Sequence, residues 1–162
     1  MAEEHLTDEE IGPIDRPQQF DAPDTRLALA EVNQLIRGPE ARGDFEVDGA
    51  GLTAAVLDTG LRVTHVDFAG RVPDQVNFTS DNGGDRGEAD DGHGHGTNVG
   101  GIVVAGDLHE GIAPGGSIGP LKVMKNNGGG SFAAIRDGLQ WVIDHHERLH
   151  ITVVCMSLSG RR

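Results

Sequence analysis

With 162 residues the chain is long enough for one domain with its own core, and 36% hydrophobic against 4% aromatic residues means a core of Val, Ile, Leu and Ala. A formal net charge of −13 argues against nucleic acid and anionic membranes as partners, and no apolar run approaches the roughly 18 residues of a membrane span. The single cysteine, Cys155, excludes an internal disulfide.

Residues 1–24, acidic and punctuated by Pro13, Pro17 and Pro23, read as a disordered leader rather than an inhibitory propeptide, which needs a compact fold. They lack the basic and apolar regions of a secretion signal, so the chain as written reads as cytoplasmic. Residues 25–162 form the domain. Asp24 can cap a helix over Thr25 to Arg37, with an uneven apolar face of Leu27, Ala30, Val32, Leu35 and Ile36, ended by Gly38-Pro39. A polar connection over 39–51 leads into a buried strand at 52–57, which runs into Asp58. From Leu61 to Asp91 the chain is loop-like, with a short strand at Gln75 to Phe78. Its acidic run from Asp81 to Asp91 fails the EF-hand spacing and reads as a solvated loop. A glycine-rich helix near 96–105 follows, then a strand from Ile118 to Lys125 and the flexible Gly128-Gly129-Gly130. Ser131 caps a helix to about His146, whose stripe is Ile135, Leu139, Val142 and Ile143, with Trp141 packing beside it. Ile151 to Met156 is a β-branched run of the kind buried on both faces of a sheet. Strands alternating with helices predict an α/β fold with a parallel sheet. In such sheets sites gather at the strand C-termini, where Asp58, the Gly128 region and Ser157-Leu158-Ser159-Gly160 all fall.

The chemistry concentrates in Asp58 and in Asp91-Gly92-His93-Gly94-His95-Gly96-Thr97. An imidazole both takes and gives a proton near neutral pH, and a buried carboxylate bonded to its far nitrogen fixes its tautomer. The glycines at the start of the helix let other backbone approach the imidazole closely. Asp91, His93 and His95 are also potential zinc ligands, but a helix opening at His95 separates its ring from that of His93, and the adjacent His145 and His146 diverge likewise.

Val56-Leu57-Asp58-Thr59-Gly60 resembles the aspartate motif of subtilisin-like serine peptidases, and His95-Gly96-Thr97 with Val99 and Gly101 resembles their histidine motif, H-G-T-H-V-A-G. Gly111-Ile112-Ala113-Pro114, Gly138-Leu139-Gln140-Trp141 and Met156-Ser157-Leu158-Ser159-Gly160 are similar to further family patterns in the same order. The resemblance covers about residues 32–160. It implies a three-layer parallel-sheet fold and serine endopeptidase activity on polypeptides, with Asp58 as orienting acid and His95 as general base (His93 second as base). It also implies that Gly128, Gly129 and Gly130 form one wall of an extended substrate cleft and Ser157, Leu158, Ser159 and Gly160 the other, pairing with substrate as an added strand. Asn98 stands in place of a second histidine, Gly100 of an alanine and Ser159 of a glycine. Asp67 matches a calcium-binding aspartate of many subtilisins, so calcium is the possible cofactor, although the loop Gly106 to Glu110 is short.

The family's nucleophile motif, G-T-S-x-x-x-P, does not occur in these 162 residues. Gly115-Gly116-Ser117-Ile118-Gly119 matches G-x-S-x-G in the wrong context, with a turn before it and a strand after. Losing the nucleophile of such a triad costs on the order of 10⁶ in turnover. The expectation is therefore the N-terminal part of a subtilisin-like catalytic domain, interrupted after a central strand and inactive alone. A catalytically dead subtilisin-fold binding module is the alternative. A retroviral-type aspartic peptidase would explain Asp58-Thr59-Gly60 but neither the histidine motif nor the long helix.

Overall fold

The computed structural model describes residues 10–11 and 25–159. The rest of the acidic leader, the Asp24 cap and Gly160 lie outside the described residues. The fold is organised around β2 (Thr53–Asp58), whose six residues are all buried. It pairs in parallel with β4 (Ser117–Lys122) on one side and β6 (Ile151–Cys155) on the other, and β3 (Val76–Asn77) extends the sheet to the order β3-β4-β2-β6. Alternate residues of a strand face opposite layers. Ala55 and Leu57 join Leu121, Ala134, Val142 and Leu149 beneath α4 (Phe132–Leu149), whereas Val56 joins Leu61, Phe68, Val104 and Ile118 beneath α3 (His95–Val104). Helix, parallel sheet and helix make the three-layer α/β arrangement expected from the strand–helix alternation.

Helix α4 starts at the cap that the sequence marks, the Ser131 hydroxyl accepting the Ala134 N–H at 3.2 Å. It lies close on the sheet because Gly138 has no side chain: a Cβ there would stand 3.0 Å from Val123 and 3.2 Å from Leu57. Ile143 is not part of its buried stripe but 63% exposed, since one residue beyond Val142 is about 100° around the helix. Trp141 packs at the margin of the α4 layer and stacks on His145 with ring centroids 4.3 Å apart.

Two further expectations are corrected. The connection over 39–51 contains a helix, α2 (Gly38–Phe45), separated from α1 (Thr25–Leu35) by Arg37 in the left-handed region at φ 60°. Pro39 sits in the first turn of α2, where its missing N–H has no bond to lose, so Gly38-Pro39 ends one helix and starts the next. The apolar residues Val32, Leu35 and Ile36 are exposed, whereas Asn33 is buried and its Nδ2 donates to the Glu110 carbonyl at 3.0 Å. Strand β6 is not buried on both faces either. Among the described residues its one strand neighbour is β2, and Val153 is 54% and Val154 42% exposed. Away from the main sheet, β1 (Glu10–Ile11) pairs antiparallel with β5 (Gly130–Ser131).

Candidate active site

Because the strands run parallel, their C-terminal ends share one edge of the sheet, and Asp58 closes β2 at the middle of that edge. Its carboxylate is fully buried. Oδ1 accepts the Thr59 N–H at 2.7 Å and lies 2.8 Å from Nδ1 of His95, the first residue of α3. A carboxylate only accepts, so this contact places a proton on Nδ1 and leaves the lone pair of the neutral ring on Nε2. The ring is 20% exposed, and Nε2 makes no hydrogen bond among the described residues. Such an imidazole is equipped to take a proton at Nε2, with the carboxylate stabilising the cation that forms.

The pair forms because a helix start comes unusually close to a strand end. A Cβ on Gly96 would collide with the Gly60 carbonyl oxygen and lie 3.2 Å from Asp58 Cβ. Gly60 itself is left-handed at φ 114°, where a side chain would strike the Ala89 carbonyl. The Thr59 hydroxyl accepts the Gly96 N–H at 2.9 Å and donates to Asp91 Oδ1 at 2.9 Å. Asp91 also accepts the N–H groups of His93, Gly94 and Thr97 and the Thr97 hydroxyl. Burial alone would raise the Asp91 pKa, but the bonds from Thr97, Gly94 and Thr59 outweigh it and hold the carboxyl below its ordinary value. Beneath them lies the fully buried Lys122, whose Nζ donates to the carbonyls of Thr59 and Met124 and to Asn126 Oδ1. Burial pushes its pKa down, only partly opposed by Asp81, Asp91 and Asp90.

The segments expected as walls follow the two strands that neighbour β2. Strands β4 and β6 flank β2, so Gly128, Gly129 and Gly130, following β4, and Ser157, Leu158 and Ser159, following β6, leave the sheet on opposite sides of Asp58. The chain leaving β4 is tied to the end of β2, since the Val123 and Met124 N–H groups both donate to the Asp58 carbonyl, at 3.0 and 3.1 Å. It then turns through Gly128, at φ 82°, and returns as β5. A cavity of about 570 Å³ lined by Leu29, Val32, His65, Phe68, Thr97 and Ile102 lies elsewhere; neither Asp58 nor His95 lines it.

The metal readings do not fit these donors. All of Asp91's bonds are to N–H and O–H groups of the chain, which leaves it no role beside His93 and His95 in a zinc site. His145 and His146 each bond back to a carbonyl of their own helix, of Trp141 and Ile143. Asp67 does not fit calcium. Its Oδ2 is 2.7 Å from His109 Nδ1 and 3.4 Å from His65 Nδ1, its Oδ1 accepts the N–H groups of Asp107 and His109, and its carbonyl accepts from the Arg71 guanidinium. Two imidazoles and a guanidinium surround it where a cation would need oxygens. Burial would raise its pKa, but the His109 side chain and the N–H groups of His109, Asp107 and Leu108 outweigh that and hold it low.

The sequence gives no sign of Lys122 in the site, and it offers Asp91 as a zinc ligand rather than as the acceptor of Thr59, His93, Gly94 and Thr97 that the structure shows. An Asp just ahead of a helix start is a capping signal, and that was the cue available for Asp91, hidden within an acidic run.

A parallel sheet between two helix layers, with a buried carboxylate–imidazole pair at its C-terminal edge, defines the class as a three-layer α/β protein. The model of the subtilase family matches residues 49–162, and the chain belongs to that family. It is 35% identical over 148 residues to the major intracellular serine protease of Bacillus subtilis, covering 84% of this chain and 44% of that protein. It is 33% identical over 132 residues to the extracellular serine proteinase of a Thermus species, covering 82% and 30% respectively. A third relative, the intracellular serine protease of Paenibacillus polymyxa, is 33% identical over 137 residues, with 80% and 41% covered. The chain thus spans less than half the length of these relatives.

Proposed function

We propose that this chain supplies the acid–base half of a serine endopeptidase, with Asp58 as orienting acid and His95 as general base toward a serine nucleophile that these 162 residues do not include. The observation carrying the proposal is the 2.8 Å contact between Asp58 Oδ1 and His95 Nδ1 at the sheet's C-terminal edge, in a member of a family whose matched relatives are named serine proteases. The substrate class is polypeptide. Gly128–Gly130 and Ser157–Gly160 form the two walls, and the antiparallel pairing of Gly130 and Ser131 with Ile11 and Glu10 supports an edge that accepts an extended strand. Lacking the nucleophile, the chain by itself is inactive.

Two measurements test this. A fluorophosphonate probe leaves the purified 162-residue chain unlabelled, and stoichiometric labelling at any of its serines overturns the proposal. Reading the encoding DNA past codon 162 in all three frames is expected to reveal G-T-S-x-x-x-P. Its absence from every frame would favour a binding module that keeps the subtilisin fold.

A further inference from the structure

The Asp58–His95 contact joins two elements with no covalent reason to stay in register: the end of β2 and the start of α3, 37 residues apart. Their separation is set by what bridges them, and the bonds converge on one carboxylate. Asp91 Oδ1 accepts the Thr59 hydroxyl at 2.9 Å, the His93 N–H at 3.0 Å and the Gly94 N–H at 2.8 Å. Its Oδ2 accepts the Thr97 N–H at 2.9 Å and the Thr97 hydroxyl at 2.6 Å. Thr59 is the residue whose N–H holds Asp58 Oδ1, and its hydroxyl also accepts the Gly96 N–H. The other donors bracket His95: two lie before it, and Thr97 lies in the first turn of its helix. Free N–H groups at a helix start favour a negative charge there, so the carboxylate caps α3 while gripping the strand end.

We infer that Asp91 is a positioning residue of this site, a clamp that sets the Asp58–His95 geometry by holding both elements to one carboxylate. This rests on the reading of Asp58 and His95 proposed above. An amide is a poor replacement. Hydroxyl donors rotate away from an NH₂ group, but N–H donors do not, and both Asp91 oxygens face at least one N–H. Whichever way the amide is turned in an Asp91→Asn variant, a donor meets a donor and one end of the clamp opens.

The test is ¹H NMR of the 162-residue chain, observing the downfield imidazole N–H resonances of the two histidines that, among the described residues, hold Nδ1 within 3 Å of a carboxylate, His95 on Asp58 at 2.8 Å and His109 on Asp67 at 2.7 Å. Loss of each in His95→Ala and His109→Ala assigns them. Asp91→Asn is expected to lose the His95 resonance to exchange with water while keeping that of His109, which reports an intact fold. Asp67→Asn, which removes a carboxylate from a different loop, is expected to do the reverse. A His95 resonance unchanged in Asp91→Asn overturns the clamp. A wild-type chain that shows the His109 resonance without that of His95 overturns the functional reading itself, independently of Asp91. If Asp91→Asn loses both signals through unfolding, Thr97→Val decides: a weakened His95 resonance beside an intact His109 resonance supports the clamp, and an unchanged one sinks it.

Discussion

Among the described residues two aspartate–histidine pairs have almost identical length, and they stand in different surroundings. Asp58 Oδ1 lies 2.8 Å from His95 Nδ1, and Asp67 Oδ2 lies 2.7 Å from His109 Nδ1. Around Asp58 the bonding is sparse: Oδ1 takes the Thr59 N–H as well, and the buried Oδ2 has no partner among the described residues. Around Asp67 both oxygens are engaged, and apart from the nearby His65 ring their partners all come from one loop, through Asp107 and His109. The first pair sits at the C-terminal edge of the central strand, between the two chain segments proposed above as substrate walls. The second staples the Gly106–Glu110 loop to the 3₁₀ turn Val66–Phe68. Residue types at hydrogen-bond distance therefore do not make a site; the edge of the sheet on which they stand does.

The sharpest way to separate the pairs is to break each in a polypeptide that also carries the family's serine motif. His95→Ala is expected to lower turnover by on the order of 10⁶, the loss associated with the corresponding histidine of a subtilisin. His109→Ala is expected to leave turnover within about twofold and to lower the thermal midpoint instead, since surface and packing changes away from the chemistry act on stability. Peptide hydrolysis and thermal melts of both variants check this. Equal loss of turnover in the two would mean that the pairs are coupled and the contrast is wrong.

Stability should show the opposite asymmetry. Asp67→Asn removes bonds from a buried carboxylate, and charge-assisted bonds are worth about 1.5–3 kcal/mol each before compensation. A net loss of about 2 kcal/mol, or roughly 4–8 °C in the midpoint, is expected. The pH dependence has a definite sign. The folded Asp67 pKa lies below the ordinary 3.8, so the folded state binds fewer protons than the unfolded one between the two values. Its contribution is present above pH 3.8 and lost as pH falls through the lowered value. The stability gap between wild type and Asp67→Asn should therefore be constant above about pH 5 and shrink in more acid solution. A gap that widens in acid would show that another group dominates.

Much of this was legible in the sequence because local rules and the global fold agree there. The apolar run into Asp58, the Ser131 cap and the glycines around His95 each have one cheap structural solution, and the structure adopts it. What was missed depends on partners distant in sequence. β6 has the composition of a central strand, but its burial depends on what packs beside it. Asp91 is one of five acidic residues in its run, with Asp81, Asp85, Glu88 and Asp90, and although it stands just ahead of a helix start, its spacing does not show that it also accepts the Thr59 hydroxyl 32 residues away. Asp67 shows a related limit: the aspartate matches the family pattern, but the groups that bond to it, His109 and Arg71, lie 42 and 4 residues away.

The smallest expected effect bears on that same residue. A calcium ion held by the folded chain at a hundred times its Kd adds about 2.7 kcal/mol, enough to move a thermal midpoint by several degrees. With the Asp67 oxygens already bonded to His109 and Asp107, an ion there must first break the staple, so melts in excess calcium and in excess chelator should coincide. Asp67→Asn makes the result specific to this place. If calcium raises the midpoint of the wild type and not that of Asp67→Asn, the ion displaces His109, and the second pair is a vacated metal site rather than a staple. If calcium raises both alike, it binds elsewhere in the chain and the contrast between the two pairs stands.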